Sequence, residues 1–245
     1  MNLILIDPSE VSPRGDVALQ DHRAAHIREV LNGREGQSLR VGLLNGPIGT
    51  GMIRSVRDDG VTLRCVFGGE PPPVPQVDLL LALPRPKVMK RLWAPLAAMG
   101  IGQLFLVNAQ KVERYYFDSH VLDPEFYQPR IHAGLEQAMD TRLPQVRVCR
   151  QLKPFIEDEL DELVPGAQRL VADPAAEARI ADVVKPSRTD RVLMAIGPEG
   201  GWSAFELDLL RESGFHFVGL GPRILRTDTA CVALLALVNE GLREA

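Results

Sequence analysis

Two glycine- and proline-rich segments in the last quarter of the chain hold the residue types best suited to gripping a small ligand. The first, Ala195-Ile-Gly-Pro-Glu-Gly-Gly-Trp-Ser203, follows the apolar run Val192 to Ile196 and precedes a helix that Ser203 can cap. Glycines and a proline at the carboxyl end of a strand leave bare backbone, so a ligand can approach main-chain N–H and C=O groups. A plain strand-to-helix turn is the other reading of this segment alone. The second, Gly219-Leu-Gly-Pro-Arg-Ile-Leu-Arg-Thr-Asp-Thr-Ala230, also leads from a predicted strand into a helix. It lacks the Gly-Lys-Ser/Thr of a P-loop and the GxGxxG of a dinucleotide fingerprint, so phosphate cradling is not its natural chemistry. The pair fits a pocket whose backbone reads a flat heterocycle while Arg223 or Arg226 handles an anion.

The elements that must position these loops follow from the pattern upstream. Residues 68–75 read GGEPPPVP, which extends neither a helix nor a central strand, and the domain boundary is placed there. Before it, short runs rich in Val, Leu and Ile (Leu3 to Ile6, Ser38 to Leu44, Gly51 to Val56, Val61 to Phe67) alternate with turns such as Asn45-Gly46 and Asp59-Gly60, predicting a small β-barrel over residues 1–70. One helix, capped by Asp21 and ended by Gly33, interrupts it. Over residues 75–245 the strands Val77 to Leu83, Gln103 to Val107, Arg169 to Ala172, Arg191 to Ile196 and His216 to Gly219 alternate with helical stretches, predicting an α/β domain with a mostly parallel sheet.

Composition narrows the function classes. The 245 residues carry a net charge of −4 and 45% hydrophobic residues, which excludes disorder and argues against a nonspecific coat on nucleic acid. Charge is nonetheless uneven. No acid lies between Asp78 and Glu113, while Arg85, Lys87, Lys90, Arg91 and Lys111 are basic, a cluster that either faces phosphate or is solvated at a helix start. Cys65, Cys149 and Cys231 are too few and too scattered for a disulfide framework, and the five histidines show no metal-ligand spacing, so a reducing compartment and no metal are expected. The apolar start and the run Ala230 to Val238 are too short for a signal peptide or a membrane span, which points to the cytoplasm and to no membrane partner.

The two loops resemble the cofactor signature of the SPOUT class of knotted methyltransferases, and most closely the ribosomal RNA small subunit methyltransferase E family, which methylates uridine N3 in small-subunit (16S) ribosomal RNA. The resemblance extends over Ala25-His-Ile-Arg-Glu-Val-Leu31, Gly36 and Leu44-Asn-Gly46, similar to that family's amino-terminal PUA-like barrel, and over Leu81-Ala-Leu-Pro84, Glu136-Gln137 and Arg142-Leu-Pro144. It implies a trefoil-knotted carboxyl-terminal domain, an exception to the rule against knots, a homodimer, and S-adenosylmethionine held by Ala172, Ile196, Gly197, Glu199, Gly200, Leu220, Gly221, Ile224, Leu225 and Thr227. Departures are Pro95 and Ala98-Met-Gly100 where the family has a Lys and Glu-Leu-Gly, Asp140 in place of an arginine, and Asp228 in place of Glu.

Uridine N3 must lose a proton to become a good nucleophile, so a site of this kind needs a group that stabilises a developing anion and one that positions or relays a proton. Arg226 is the candidate for the first role, against the alternative of a helix-start or dimer ion pair, and Glu199 and Glu136 are candidates for the second. Arg14, Arg23, Arg28, Arg85 and Lys87 are the candidate RNA contacts, with His26 either a further contact or a core histidine. Two other readings stay open: methylation of another RNA atom, such as a transfer-RNA ribose 2′-hydroxyl, and an inactive RNA-binding protein of ribosome assembly.

Overall fold

The computed structural model describes residues 3–186 and 191–243. The chain divides into two compact units, one comprising Met1–Val74 and His132–Leu143, the other Pro75–Ile131 and Pro144–Ala245.

The first unit is a five-stranded sheet in the order β1-β3-β4-β5-β2, with β1 Ile4–Ile6, β2 Asp16–Leu19, β3 Ser38–Leu43, β4 Ile48–Arg57 and β5 Gly60–Phe67. β1 pairs parallel to β3 and the other ladders are antiparallel. No ladder joins β1 to β2 among the described residues, so the predicted barrel is, in its hydrogen bonding, an open sheet wrapped on its own core. Alternate residues point inward: Val17 and Leu19, Val61 and Leu63, with Ile4, Ile6, Val41 and Ile53, close on Ile27 from the helical turn after β2. That turn begins as α1 (His22–Ala25), capped by the Asp21 side chain on the Arg23 N–H, and widens to a π-turn over His26–Val30.

β2 escaped the sequence reading because Asp16-Val-Ala-Leu19 is only four residues long and carries one acid. The return of His132–Leu143 to this unit is held by polar contacts between residues distant in sequence. The Thr141 hydroxyl donates to the Gly46 carbonyl at 2.6 Å, Arg142 Nε donates to the Pro72 carbonyl at 2.6 Å, and the Asn45 and Thr141 backbones bond at 2.7 Å. A Cβ on Gly42 would lie 2.6 Å from the Thr141 methyl, so only glycine admits this approach.

The second unit is a six-stranded, wholly parallel sheet in the order β11-β9-β10-β6-β7-β8. Its strands are β6 Val77–Ala82, β7 Ile101–Val107, β8 Gln145–Cys149, β9 Gln168–Ala172, β10 Val192–Ile196 and β11 His216–Val218. The helices are α2 Pro86–Ala98, α3 Pro124–Ala138, which belongs to this unit only up to Ile131, α4 Leu152–Pro154, α5 Leu160–Leu163, α6 Ile180–Val183, α7 Ala204–Glu212 and α8 Thr227–Leu242. Every residue of β6 and β10 is buried, as expected for central parallel strands covered on both faces. β8, an edge strand with three exposed residues, was missed because its alternation of Val with Gln, Arg and Cys is weak.

One charge pair sits at the amino end of β6. Asp78 is fully buried and accepts from Arg191 Nη2 at 2.6 and 2.7 Å and from Nε at 3.1 Å. Removing Arg191 strands a buried carboxylate, so Arg191→Met should cost about 3 kcal/mol or more. Asp78→Asn leaves a guanidinium that still reaches solvent and should cost about 2 kcal/mol. Equal losses in denaturant titrations of the two variants would contradict this asymmetry.

In the first unit Glu136, also buried, accepts among the described residues a 3.4 Å bond from the Leu5 N–H. Burial pushes its carboxyl above the ordinary range, outweighing the Leu5 N–H, His22 and Arg23. A carboxyl raised in the folded state contributes its stability below the unfolded pKa and loses it as pH rises through the folded one. Glu136→Gln should therefore melt higher than the parent at pH 8, with the gap narrowing toward pH 4. A gap that widens on acidification would show the opposite shift.

Candidate cofactor and substrate cavity

In the second unit β10 lies between β6 and β9, and β11 lies outside β9, so strand order reverses where the chain re-enters the sheet. Ligands of open α/β sheets bind beyond the carboxyl ends of strands at such reversals. The segments leaving β9, β10 and β11 meet there, as Ala172 to Pro174, Ile196 to Trp202 and Leu220 to Thr227, around a cavity of about 310 Å³ and a smaller recess of about 80 Å³. A third cavity, of about 440 Å³, shares Glu199, Ile224, Leu225 and Thr227 with the first and adds Arg85, Val88, Arg226 and Asp228.

The β10 loop is built to be bare. A Cβ on Gly197 would stand 3.0 to 3.2 Å from the Trp202 indole, so the ring packs directly on glycine backbone. Gly201 takes φ +71° and Gly221 φ +90°, the left-handed region open to glycine. Ser203 caps α7 through a capping box with Glu206. The same Glu206, buried, accepts from the Gln110 N–H at 2.6 Å with its other oxygen, and Lys111 Nζ donates to the Gly200 carbonyl at 2.8 Å. The loop after β7 and the loop after β10 are thereby tied together.

Trp202 Nε1 is buried without a hydrogen-bond partner among the described residues, and Trp202 lines the 310 Å³ cavity. A buried donor without a protein partner beside a cavity is open to an acceptor from water or a ligand. The start of α8 is held by Asp228, which accepts from Arg91 Nη2 at 2.5 Å and lies 3.7 Å from Arg226 Nε. Burial tends to raise the Asp228 carboxyl, but bonds from Arg91 and the Thr229 N–H, with the Arg226 charge, hold it below its usual range.

All ten residues expected at the cofactor line these adjoining cavities, which share lining residues. Arg226 lines the third, with its side chain 72% exposed, and Glu199 joins the first cavity to the third and accepts from the Arg85 N–H at 3.4 Å. Asp173 and Trp202 also line the site, and sequence reasoning missed both. An aspartate at the end of β9 carries no motif, and the tryptophan's role depends on the bare Gly197 beneath it.

Other expected site residues lie elsewhere. Arg23, 13% exposed, donates to Glu10, Asp21 and the Leu5 carbonyl, so this guanidinium is an internal strut rather than a phosphate contact. Arg28 is spent on the carbonyls of Arg57 and Asp58 and lies 3.6 Å from Glu29. Glu136 is a core carboxyl of the first unit and does not line the cavities described above. The His26 Nε2 is buried and has no hydrogen-bond partner among the described residues, with burial lowering its pKa, whereas the side chains of Arg14, Arg85 and Lys87 are exposed. Among the described residues no group of three or more His, Cys, Asp and Glu could hold a metal ion, and no helix is long and apolar enough to cross a membrane.

Comparison with known proteins places this geometry in a family. The RNA methyltransferase domain profile matches residues 70–239. Ribosomal RNA small subunit methyltransferase E of Treponema pallidum (strain Nichols) is 31% identical over 97% of this chain and 90% of its own. The corresponding methyltransferase E 1 of Borreliella burgdorferi is 24% identical over 95% of each chain. The crystal structure of ribosomal RNA small subunit methyltransferase E from Neisseria gonorrhoeae, bound to S-adenosyl methionine, superposes with a TM-score of 0.80 over 99% of this chain and 98% of that one at 20% identity, which shows a shared α/β fold. On the family profile and the full-length relative, the chain belongs to the ribosomal RNA small subunit methyltransferase E family.

Proposed function

We propose that this protein transfers a methyl group from S-adenosylmethionine to N3 of a uridine in 16S ribosomal RNA. The observation that carries the reading is the convergence of the three strand-end segments on adjoining cavities at the sheet's reversal, in a chain of this family. The residues fit the cofactor: glycine backbone at Gly197, Gly200 and Gly221, apolar walls from Ile196, Leu220 and Leu225, and the unsatisfied Trp202 Nε1 all border the space. Bound S-adenosylmethionine would supply an electrophilic sulfonium methyl, leaving the protein to position an acceptor and manage its proton.

That division of labour assigns roles to the cavity shared by Arg85, Glu199 and Arg226. Arg226 keeps its guanidinium largely exposed there and, with a permanent charge, stabilises the uracil oxygens as negative charge develops on losing the N3 proton. Glu199 holds or accepts that proton at the junction with the cofactor cavity. Arg85 and Lys87, at the start of α2, and Arg14 in the first unit are exposed cations, without an ion pair among the described residues, that meet RNA phosphate. The finer architecture belongs to the same reading: a PUA-like first unit that binds RNA, a trefoil knot formed as the segment after β10 is threaded, a homodimer, and a cytoplasmic enzyme working on the small ribosomal subunit.

Purified protein is incubated with radiolabelled S-adenosylmethionine and small ribosomal subunits from a strain deleted for the gene, and the labelled nucleoside is identified. Label in 3-methyluridine is expected. Label in a ribose-methylated nucleoside would replace the acceptor, and absence of both label and cofactor binding would leave an RNA-binding protein. Arg226→Ala should lower kcat by roughly a hundredfold while S-adenosylmethionine affinity changes only a few-fold.

A further inference from the structure

The segment that follows β7 carries two adjacent tyrosines that the roles above do not use. Tyr115 is 65% exposed, and its ring meets that of Tyr116 edge to face, with centroids 4.9 Å apart and planes at 83°. An aromatic ring this exposed is normally a mobile side chain on a mobile loop. Here the loop is pinned on both sides of the pair. Before it, the Gln110 N–H and Lys111 Nζ are bonded to Glu206 and to the Gly200 carbonyl of the cofactor loop. After it, Phe117 is buried, its carbonyl accepts from Arg150 Nη2 at 3.2 Å, and the Val121 carbonyl accepts from the buried Trp93 Nε1 at 3.1 Å.

The segment carrying the pair is tied by Lys111 to Gly200, the neighbour of Glu199 in the lining of the substrate cavity. Burial is the first cause raising the Tyr116 hydroxyl pKa, followed by its bond to Tyr115, while Arg85 and Glu199, both lining that cavity, also act on it. The exposed side chains of Arg114, which precedes Tyr115, and of Arg85 form no ion pair among the described residues. A rigid exposed ring flanked by uncommitted cations beside a reactive pocket matches the way single-stranded nucleic acid is held, with bases stacked on aromatics and phosphates on Arg and Lys.

We propose that Tyr115 is a stacking platform for an unpaired base of the RNA substrate, with Tyr116 fixing its ring and Arg85 and Arg114 taking the flanking phosphates. The proposal deepens the reading of the site as an RNA methyltransferase and rests on it. Tyr115 is a binding and positioning residue: it sets where the strand lies relative to Arg226 and Glu199.

The test compares Tyr115→Ala and Tyr115→Phe with the parent by three readouts: KM and kcat for methylation of small ribosomal subunits, affinity for S-adenosylmethionine by calorimetry, and filter binding of a single-stranded oligoribonucleotide. Loss of a stacked base weakens binding by roughly tenfold to a hundredfold. Tyr115→Ala should raise KM and the RNA dissociation constant by that factor, with cofactor affinity and melting temperature unchanged. Tyr115→Phe, which keeps the ring, should stay within a few-fold of the parent. Wild-type RNA affinity and KM in Tyr115→Ala would overturn the platform. Absence of methyl transfer by the parent protein would overturn the enzymatic reading, and the oligoribonucleotide affinities would then still decide the platform.

Discussion

The site depends on one constraint, the insertion of β10 between β6 and β9 in a sheet whose strands all run the same way. Parallel strands release their carboxyl ends at a common edge, and a strand inserted late in the sequence brings chain from distant positions to that edge. Ala172, Gly197 and Gly221, which end β9, begin the loop after β10 and follow β11, become neighbours for this reason alone. Because β6 and β10 are buried along their whole length, the strand ends have little freedom to shift, and the loops can be short and bare without losing their position.

Bare loops still need anchoring, and polar side chains supply it sparingly. Glu206 serves both the capping box of α7 and the Gln110 N–H, so one buried carboxylate ties the loop after β10 to the segment after β7. Lys111 adds a second tie at Gly200. A charge with satisfied partners builds the scaffold, and a charge without them is available to a ligand. By that criterion Arg23, Arg28, Lys111 and Arg191 are architecture, whereas Arg85, Lys87, Arg114 and Arg226 face outward largely uncommitted. The acid-free stretch between Asp78 and Glu113 thus contains both kinds, which its composition could not separate.

The legible parts of the sequence were those whose meaning is local. Glycine and proline spacing after Ile196 and Val218 marks the loops, and continuous apolar runs mark β6 and β10, because bare backbone and full burial both leave a composition signal. Contacts over long separations left none. Arg23 and Arg28 look like free cations until Glu10 and the carbonyls of Arg57 and Asp58 come round to meet them. Glu136 sits in a motif-like Glu-Gln pair yet ends as a core carboxyl, since its helix changes unit after Ile131. Trp202 is conspicuous only once its indole is seen lying on Gly197 with an unmet donor.

The departure at Asp228 shows how such a site tolerates change. An acid in the first turn of α8 is favoured by the helix's positive end, and a shorter side chain keeps that benefit while its reach contracts. Arg91 on α2 meets it at 2.5 Å, and Arg226 stands farther off at 3.7 Å. One carboxylate therefore faces two guanidinium groups, and the nearer one takes the greater share of its charge. What remains at Arg226 is a cation whose field is only partly cancelled, held beside the cavity by a backbone that α8 fixes. A carboxylate drawn closer to Arg226 would neutralise more of its charge. The Arg91–Asp228 pair thus secures the loop while leaving Arg226 its charge.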